Sequence, residues 1–138
     1  MVDRDRISEL IRLLDELTES LHSVVRAGEH AYLQDARTRR AAERELQLAL
    51  QICIDVGAHL VAELGLGHPG TYGDVFRSLA EADVLDPELA ARLVAAAGLR
   101  NLLVHGYADL DDRQVWAALN RLDDVRAFAA AAMAAVTR

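Results

Sequence analysis

The octet Arg100-Asn101-Leu102-Leu103-Val104-His105-Gly106-Tyr107 places four polar side chains that can handle charge or protons within eight positions. Arginine offers a planar, permanently charged fork suited to oxyanions. Histidine can take or release a proton near neutral pH. On an ideal helix Arg100 and His105 point about 140° apart, whereas Asn101 and His105, four residues apart, are stacked neighbours. Asn101 can therefore hydrogen-bond one imidazole nitrogen and leave the other free to act. A turn at Gly106 would re-aim His105 and Tyr107 toward Arg100, and Asp109 and Asp111 follow closely enough to pair with Arg100 or His105. A plain structural reading stands beside this one. A histidine at a helix C-terminus gains from the helix dipole, and a tyrosine two residues later is ordinarily packing. Spacing alone leaves both open.

The element that carries the octet is unusual. From Leu89 to Val104 the only charged or polar side chains are Arg92, Arg100 and Asn101. Leu89, Leu93, Ala96 and Arg100 fall within about 20–60° of one another on a helical wheel, so Arg100 extends an apolar stripe and needs partners there. Asp86 as N-cap, Pro87 at N1 and Glu88 in the first turn start this helix, and Gly106 is expected to end it in a left-handed C′ conformation. Gly98, inside the helix, costs about 1 kcal/mol against alanine and points to close approach of another helix.

Four further helices are expected around it. Ile7, Leu10, Leu14, Leu17 and Leu21 recur every three or four residues and predict a helix over 3–26. A long second helix is predicted over 29–64, polar at first and then apolar nearly all round, which requires burial on several sides. Cys53 within it reads as a small buried apolar residue. After the breaker cluster at 65–70, Thr71 caps a short helix to about residue 82, with Asp74 at N3. Asp111 with Gln114 resembles a capping box for a last helix ending near Val136. The result is an all-α, antiparallel bundle of four to five helices in one domain spanning 1–138.

Composition narrows the function. Of 138 residues, 52 % are hydrophobic and 4 % aromatic; the 15 basic residues are all arginine against 22 acidic ones, for a net charge of −7. That balance argues against a broad basic surface for duplex DNA, but permits a local basic site. Arg37, Arg40 and Arg44 share one helix face and could track a nucleic-acid backbone, with a solvated face as the equal alternative. The one cysteine, Cys53, excludes an intramolecular disulfide and a cysteine metal cluster. His22, His30, His59 and His68 lack metal-ligand spacing, and Trp116 and Phe128 are expected in the core. The charged start over 1–6 lacks the apolar run of a signal peptide. The apolar stretch Ala127 to Val136 is about half of the roughly 20 residues needed to span a bilayer. A cytoplasmic protein without membrane contact is expected.

The octet is similar to the signature of the HEPN superfamily: Arg, a polar residue, three positions, His, one position, Tyr. Within it the chain most resembles the HepT-type toxins, the former DUF86 group. The likeness extends to Glu43-Arg44-Glu45-Leu46-Gln47, to Pro69-Gly70-Thr71-Tyr72-Gly73-Asp74-Val75-Phe76, to Gly98-Leu99-Arg100-Asn101 and to Val115-Trp116, covering roughly residues 39–128.

The resemblance implies a HEPN-like homodimer whose motif helices meet at a composite cleft. It further implies a metal-independent endoribonuclease without cofactor, the toxin of a type VII-like pair. The antitoxin would be an MntA-like nucleotidyltransferase that silences the toxin by transferring AMP to the motif tyrosine. By position, Arg100 and His105 become the catalytic pair, Asn101 the accessory polar residue and Tyr107 the AMPylation target, with transfer RNA the favoured substrate. Cleavage without metal needs a base for the 2′-OH, charge stabilisation at the phosphate and an acid for the leaving oxygen. His105 and Arg100 suit those roles, and a dimer supplies two of each. The competing readings are a non-catalytic HEPN-type module that binds a nucleotide or a partner nucleotidyltransferase, and a purely structural helical dimer.

Overall fold

The computed structural model describes residues 4–137. Helix α1 (Arg4–Ala27) is followed by the short α2 (Glu29–Gln34) and the long α3 (Ala36–Glu63). Then come α4 (Tyr72–Glu81), α5 (Pro87–His105), a 3-10 turn (Tyr107–Asp109), α6 (Asp112–Leu119) and α7 (Asp123–Val136). The predicted start of the first helix at Asp3 lies outside the described residues. Among these residues there is no strand.

Helix α3 is the axis of the bundle and touches each of the other six α-helices. Its apolar circumference now has a cause. Leu46, Ala49, Leu50, Ile52, Cys53, Ile54, Val56, Leu60 and Val61 are all buried, on more than one side of the helix. Among the described residues α3 is the one helix long and apolar enough to cross a membrane, yet 56 % of its most apolar window is buried inside the bundle. Cys53 is 1 % exposed, and burial pushes its thiol up to about 12, where it behaves as an inert apolar group. Gly57 lets α4 press against the axis: a Cβ there would lie 2.7 Å from Val75 Cγ1. Phe76 and Phe128 meet edge to face beneath this contact, with ring centroids 5.7 Å apart. Phe128 is fully buried as expected, whereas Trp116 is half-buried and packs on Tyr32 at 5.3 Å.

Two predicted helices are each broken in two. The helix over 29–64 is interrupted at Asp35, which is extended (φ −117°, ψ 105°). Its Oδ1 accepts from the Arg37 N–H at 3.0 Å and its Oδ2 from the Thr38 hydroxyl at 2.9 Å. These hydrogen bonds hold the Asp35 carboxyl below its ordinary range. Periodicity runs through this point because α2 and α3 bury adjoining faces; the cap is what divides them. The last helix is likewise divided at Asn120-Arg121-Leu122. There the Asn120 amide donates back to the Trp116 carbonyl at 2.8 Å and Leu122 turns inward, 2 % exposed.

The predicted starts of α4 and α5 hold. Thr71 Oγ1 accepts from the Asp74 N–H at 3.1 Å, and Asp86 Oδ2 accepts from the N–H groups of Glu88 and Leu89. Asp111 caps α6 through the Arg113 N–H at 2.9 Å, in place of a reciprocal box with Gln114. Only five residues separate α4 from α5, so the two pack as an antiparallel hairpin that sets the octet against α3.

Candidate functional site

Arg100 projects from α5 toward α3, as its place on the apolar stripe demands. Its guanidinium is held on three sides. Nε donates to Gln51 Oε1 at 2.7 Å, Nη1 donates to Asn101 Oδ1 at 3.1 Å, and the Tyr72 ring lies 5.0 Å from Cζ. Gln51 in turn donates from Nε2 to Asp55 Oδ1 at 2.7 Å. An ionised carboxylate only accepts, so Asp55 fixes the Gln51 amide with its nitrogen toward Asp55 and its oxygen toward Arg100. The guanidinium is thereby oriented by neutral groups that leave its positive charge uncompensated. Nη2 meets no acceptor among the described residues, and this edge is free to fork onto an anion such as a phosphate.

These contacts correct two expectations. Asn101 serves Arg100, not His105: its Oδ1 is occupied by the guanidinium. Asp109 and Asp111 pair with neither Arg100 nor His105, because Asp111 turns back to cap α6. Gln51 and Tyr72 were the residues that sequence reasoning missed. Gln51 lies 49 positions from Arg100, and no local pattern marks it. Tyr72 carried a weak signal, as an aromatic at the start of the helix that pairs with α5.

His105 and Tyr107 behave differently. Helix α5 remains helical through His105, so the roughly 140° between Arg100 and His105 persists. His105 is exposed, and Tyr107 is 75 % exposed at the head of the 3-10 turn. Among the described residues no hydrogen bond, ion pair or ring contact joins either of them to Arg100. Gly106 ends the helix, but not in the expected left-handed conformation: φ is −113° and ψ 27°, which other residues can adopt. Its N–H donates to the Leu102 carbonyl at 2.8 Å, and a Cβ there would lie 2.5 Å from Leu102 Cδ1. That near atom is the end of a flexible leucine side chain, so neither φ nor the surrounding backbone requires glycine here. Gly98 also departs from the simplest expectation, since nothing among the described residues lies within 4 Å of a Cβ built there.

Arg37, Arg40 and Arg44 are all exposed, and among the described residues none forms a side-chain ion pair. Arg39, between them, is the structural member. It donates to the Leu33 carbonyl and pairs with Asp112 at 3.3 Å, tying α2 and α6 to α3. His22 meets Arg126 at 3.0 Å, and among the described residues no group of three His, Cys, Asp or Glu gathers to hold a metal ion.

The family model described as ribonuclease HepT-like matches residues 7–132. The chain is 38 % identical over 89 residues to the tRNA nuclease HepT of Aphanizomenon flos-aquae, a match covering 64 % of this chain and 60 % of that relative. It is 31 % identical over 98 residues to the mRNA nuclease HepT of Shewanella oneidensis, covering 70 % and 74 % respectively. The fold superposes on the tri-AMPylated Shewanella oneidensis HEPN toxin, solved in complex with an MNT antitoxin. The TM-score is 0.87 at 26 % identity, with 95 % of this chain and 98 % of that one covered. On the family match over most of its length and on an all-helical fold shared with a HEPN toxin, the chain belongs to the ribonuclease HepT-like family.

Proposed function

We propose that this protein is the toxin of a HepT/MntA-type pair, an endoribonuclease that cuts RNA without a metal ion at a site composed from two copies of the chain. The observation that carries this reading is the state of Arg100: a part-buried guanidinium, held by neutral partners, with one edge left for a phosphate. Arg100 clamps the phosphate oxygens and stabilises the charge that builds up during attack by the 2′-OH. His105 serves as general base or acid, and Asn101 steadies the guanidinium.

One copy does not bring Arg100 and His105 together, which is the physical reason for the second. The face of α5 bearing Ala91, Ala95, Gly98 and His105 is exposed. Beside it runs an apolar groove of about 320 Å³ lined by Leu93, Ala96, Leu99 and Leu122. A second copy seated there would bring two motif helices close at Gly98 and complete the cleft.

Tyr107 is the residue we assign to AMPylation. Its exposure suits access by a nucleotidyltransferase antitoxin, and a nucleotide on it would add negative charge and bulk at the mouth of the cleft. Transfer RNA is the favoured substrate, in keeping with the relative named a tRNA nuclease, and the cytoplasm is the matching location. The relative named an mRNA nuclease makes messenger RNA the substrate to test beside it.

The deciding experiment expresses the chain and its His105→Ala variant in cells while following RNA integrity. Cleavage by the wild type alone supports the reading; intact RNA with both overturns it in favour of a binding module. Purified protein should retain cleavage in excess EDTA, and loss of activity there would refute metal independence.

A further inference from the structure

A groove of about 510 Å³ opens beside Arg100, lined on its apolar side by Ile54, Ala58 and Val75 and on its polar side by Asp55, Tyr72 and Asn101. Three of its four polar members already belong to the Arg100 network, and the fourth, Thr71, is engaged in capping α4. The Tyr72 ring stacks against the guanidinium, Asn101 accepts from it, and Asp55 is joined to it through Gln51. Two of its lining residues, Tyr72 and Asn101, touch the guanidinium directly, so the groove adjoins Arg100, and it is large enough for a nucleobase.

Its charge is the informative feature. A surface that merely tracked an RNA backbone would place cations along the groove, but here the polar floor is a carboxylate. Asp55 repels phosphate and attracts N–H donors. Oδ1 accepts from Gln51, and Oδ2 has no partner among the described residues. Asn101 spends its oxygen on Arg100, which leaves its Nδ2 amide as a donor. The groove thus offers two carboxylate acceptors, one amide donor and an aromatic wall. Guanine alone among the RNA bases carries adjacent N1–H and N2–H donors with a carbonyl oxygen next to them. Adenine and cytosine set a ring acceptor beside their amino group, and uracil flanks its one N–H with carbonyls.

We infer that this groove is a guanine-binding subsite, seating the base next to the phosphate held by Arg100. Asp55 takes the N1–H and N2–H edge, Asn101 donates to O6, and Tyr72 packs against the base. The role at a scissile phosphate rests on the nuclease reading; the binding of the base does not.

The test uses the full-length protein with 5′-GMP, 5′-IMP and 5′-AMP, following binding by calorimetry and by amide shifts at Asn101 and Tyr72. IMP differs from GMP only in lacking the 2-amino group. One charge-assisted hydrogen bond should make GMP about tenfold tighter than IMP. In Asp55→Asn the retained Gln51 contact turns an amide N–H toward the base, so the preference for GMP should vanish or invert. Asp55 is exposed, and a thermal melt checks that the variant is folded. Equal binding of the three nucleotides to the wild type, or a GMP preference untouched by Asp55→Asn, overturns the subsite. A second arm compares single-stranded oligonucleotides carrying guanosine or inosine beside the cleaved bond, where the wild type should cut the former about tenfold faster. Equal rates overturn the placement of the subsite at the scissile bond. A GMP preference in a protein that cuts no RNA would keep the base site and reject the nuclease reading.

Discussion

Two arginines on one helix, Arg92 and Arg100, are both part-buried, yet they are treated in opposite ways. Arg92 Nε meets Asp124 at 2.9 Å, and Arg121 adds a weaker contact to the same carboxylate at 3.7 Å. Its charge is neutralised, and its function is to fasten α5 to α7. Arg100 meets an amide oxygen from Gln51, another from Asn101 and the face of Tyr72. Its geometry is fixed as firmly, but its charge is left over. Arg92 is matched with a carboxylate, whereas Arg100 is oriented without being neutralised, as its proposed phosphate-binding role requires.

The strongest test of this contrast removes the free charge. Arg100→Ala should lower RNA cleavage by about 10²–10³-fold, the scale of losing a charge-stabilising donor, and His105→Ala by a similar 10²–10⁴-fold. Thermal melts should show that neither loss comes from unfolding. A milder change keeps the arginine but alters its partner. Gln51→Glu makes Arg100 resemble Arg92, and cleavage should fall about tenfold with a shallower dependence on salt, as steady-state rates at several ionic strengths would show.

Gly98→Leu asks whether the open face of α5 receives a second copy. A Cβ at Gly98 meets nothing within 4 Å among the described residues, and removing a helical glycine should stabilise one copy by up to about 1 kcal/mol. Sedimentation should nevertheless show a weakened dimer, with activity falling alongside it. Disruption of the structural arginine should do the reverse. Arg92→Ala should cost about 1 kcal/mol in urea unfolding, since the pair is only partly shielded from water, while changing cleavage less than twofold. Smallest of all is the exposed stripe. The double change Arg37→Ala with Arg40→Ala should reduce the log–log salt slope of RNA binding by about 1.4 if both touch phosphate, and not at all if the stripe is plain surface.

Much of the architecture was legible because it is decided locally. The caps at Thr71, Asp86 and Asp111, the end of α5 at Gly106 and the burial of Cys53 each depend on a few neighbouring residues or on a run of apolar ones. The two missed breaks, at Asp35 and at Asn120, share one cause. Hydrophobic periodicity continues across them because the flanking helices bury adjoining faces of one core, so the break shows only in the cap hydrogen bonds.

The sequence by itself determined that Arg100 must face the core side of its helix, that an uninterrupted helix points His105 about 140° away from it, and that both sit at the end of an apolar helix. Those facts follow from 100° per residue and from the absence of other polar groups. Only the tertiary structure decided what Arg100 touches. Gln51 and Tyr72 are brought to it by the packing of α3 and the α4–α5 hairpin, across 49 and 28 positions, and chain distance carries no information about such partners. The physical reason is the range of the forces involved. Helix direction is set within a turn, whereas the partners of a buried charge are chosen by whichever groups the closed core places beside it.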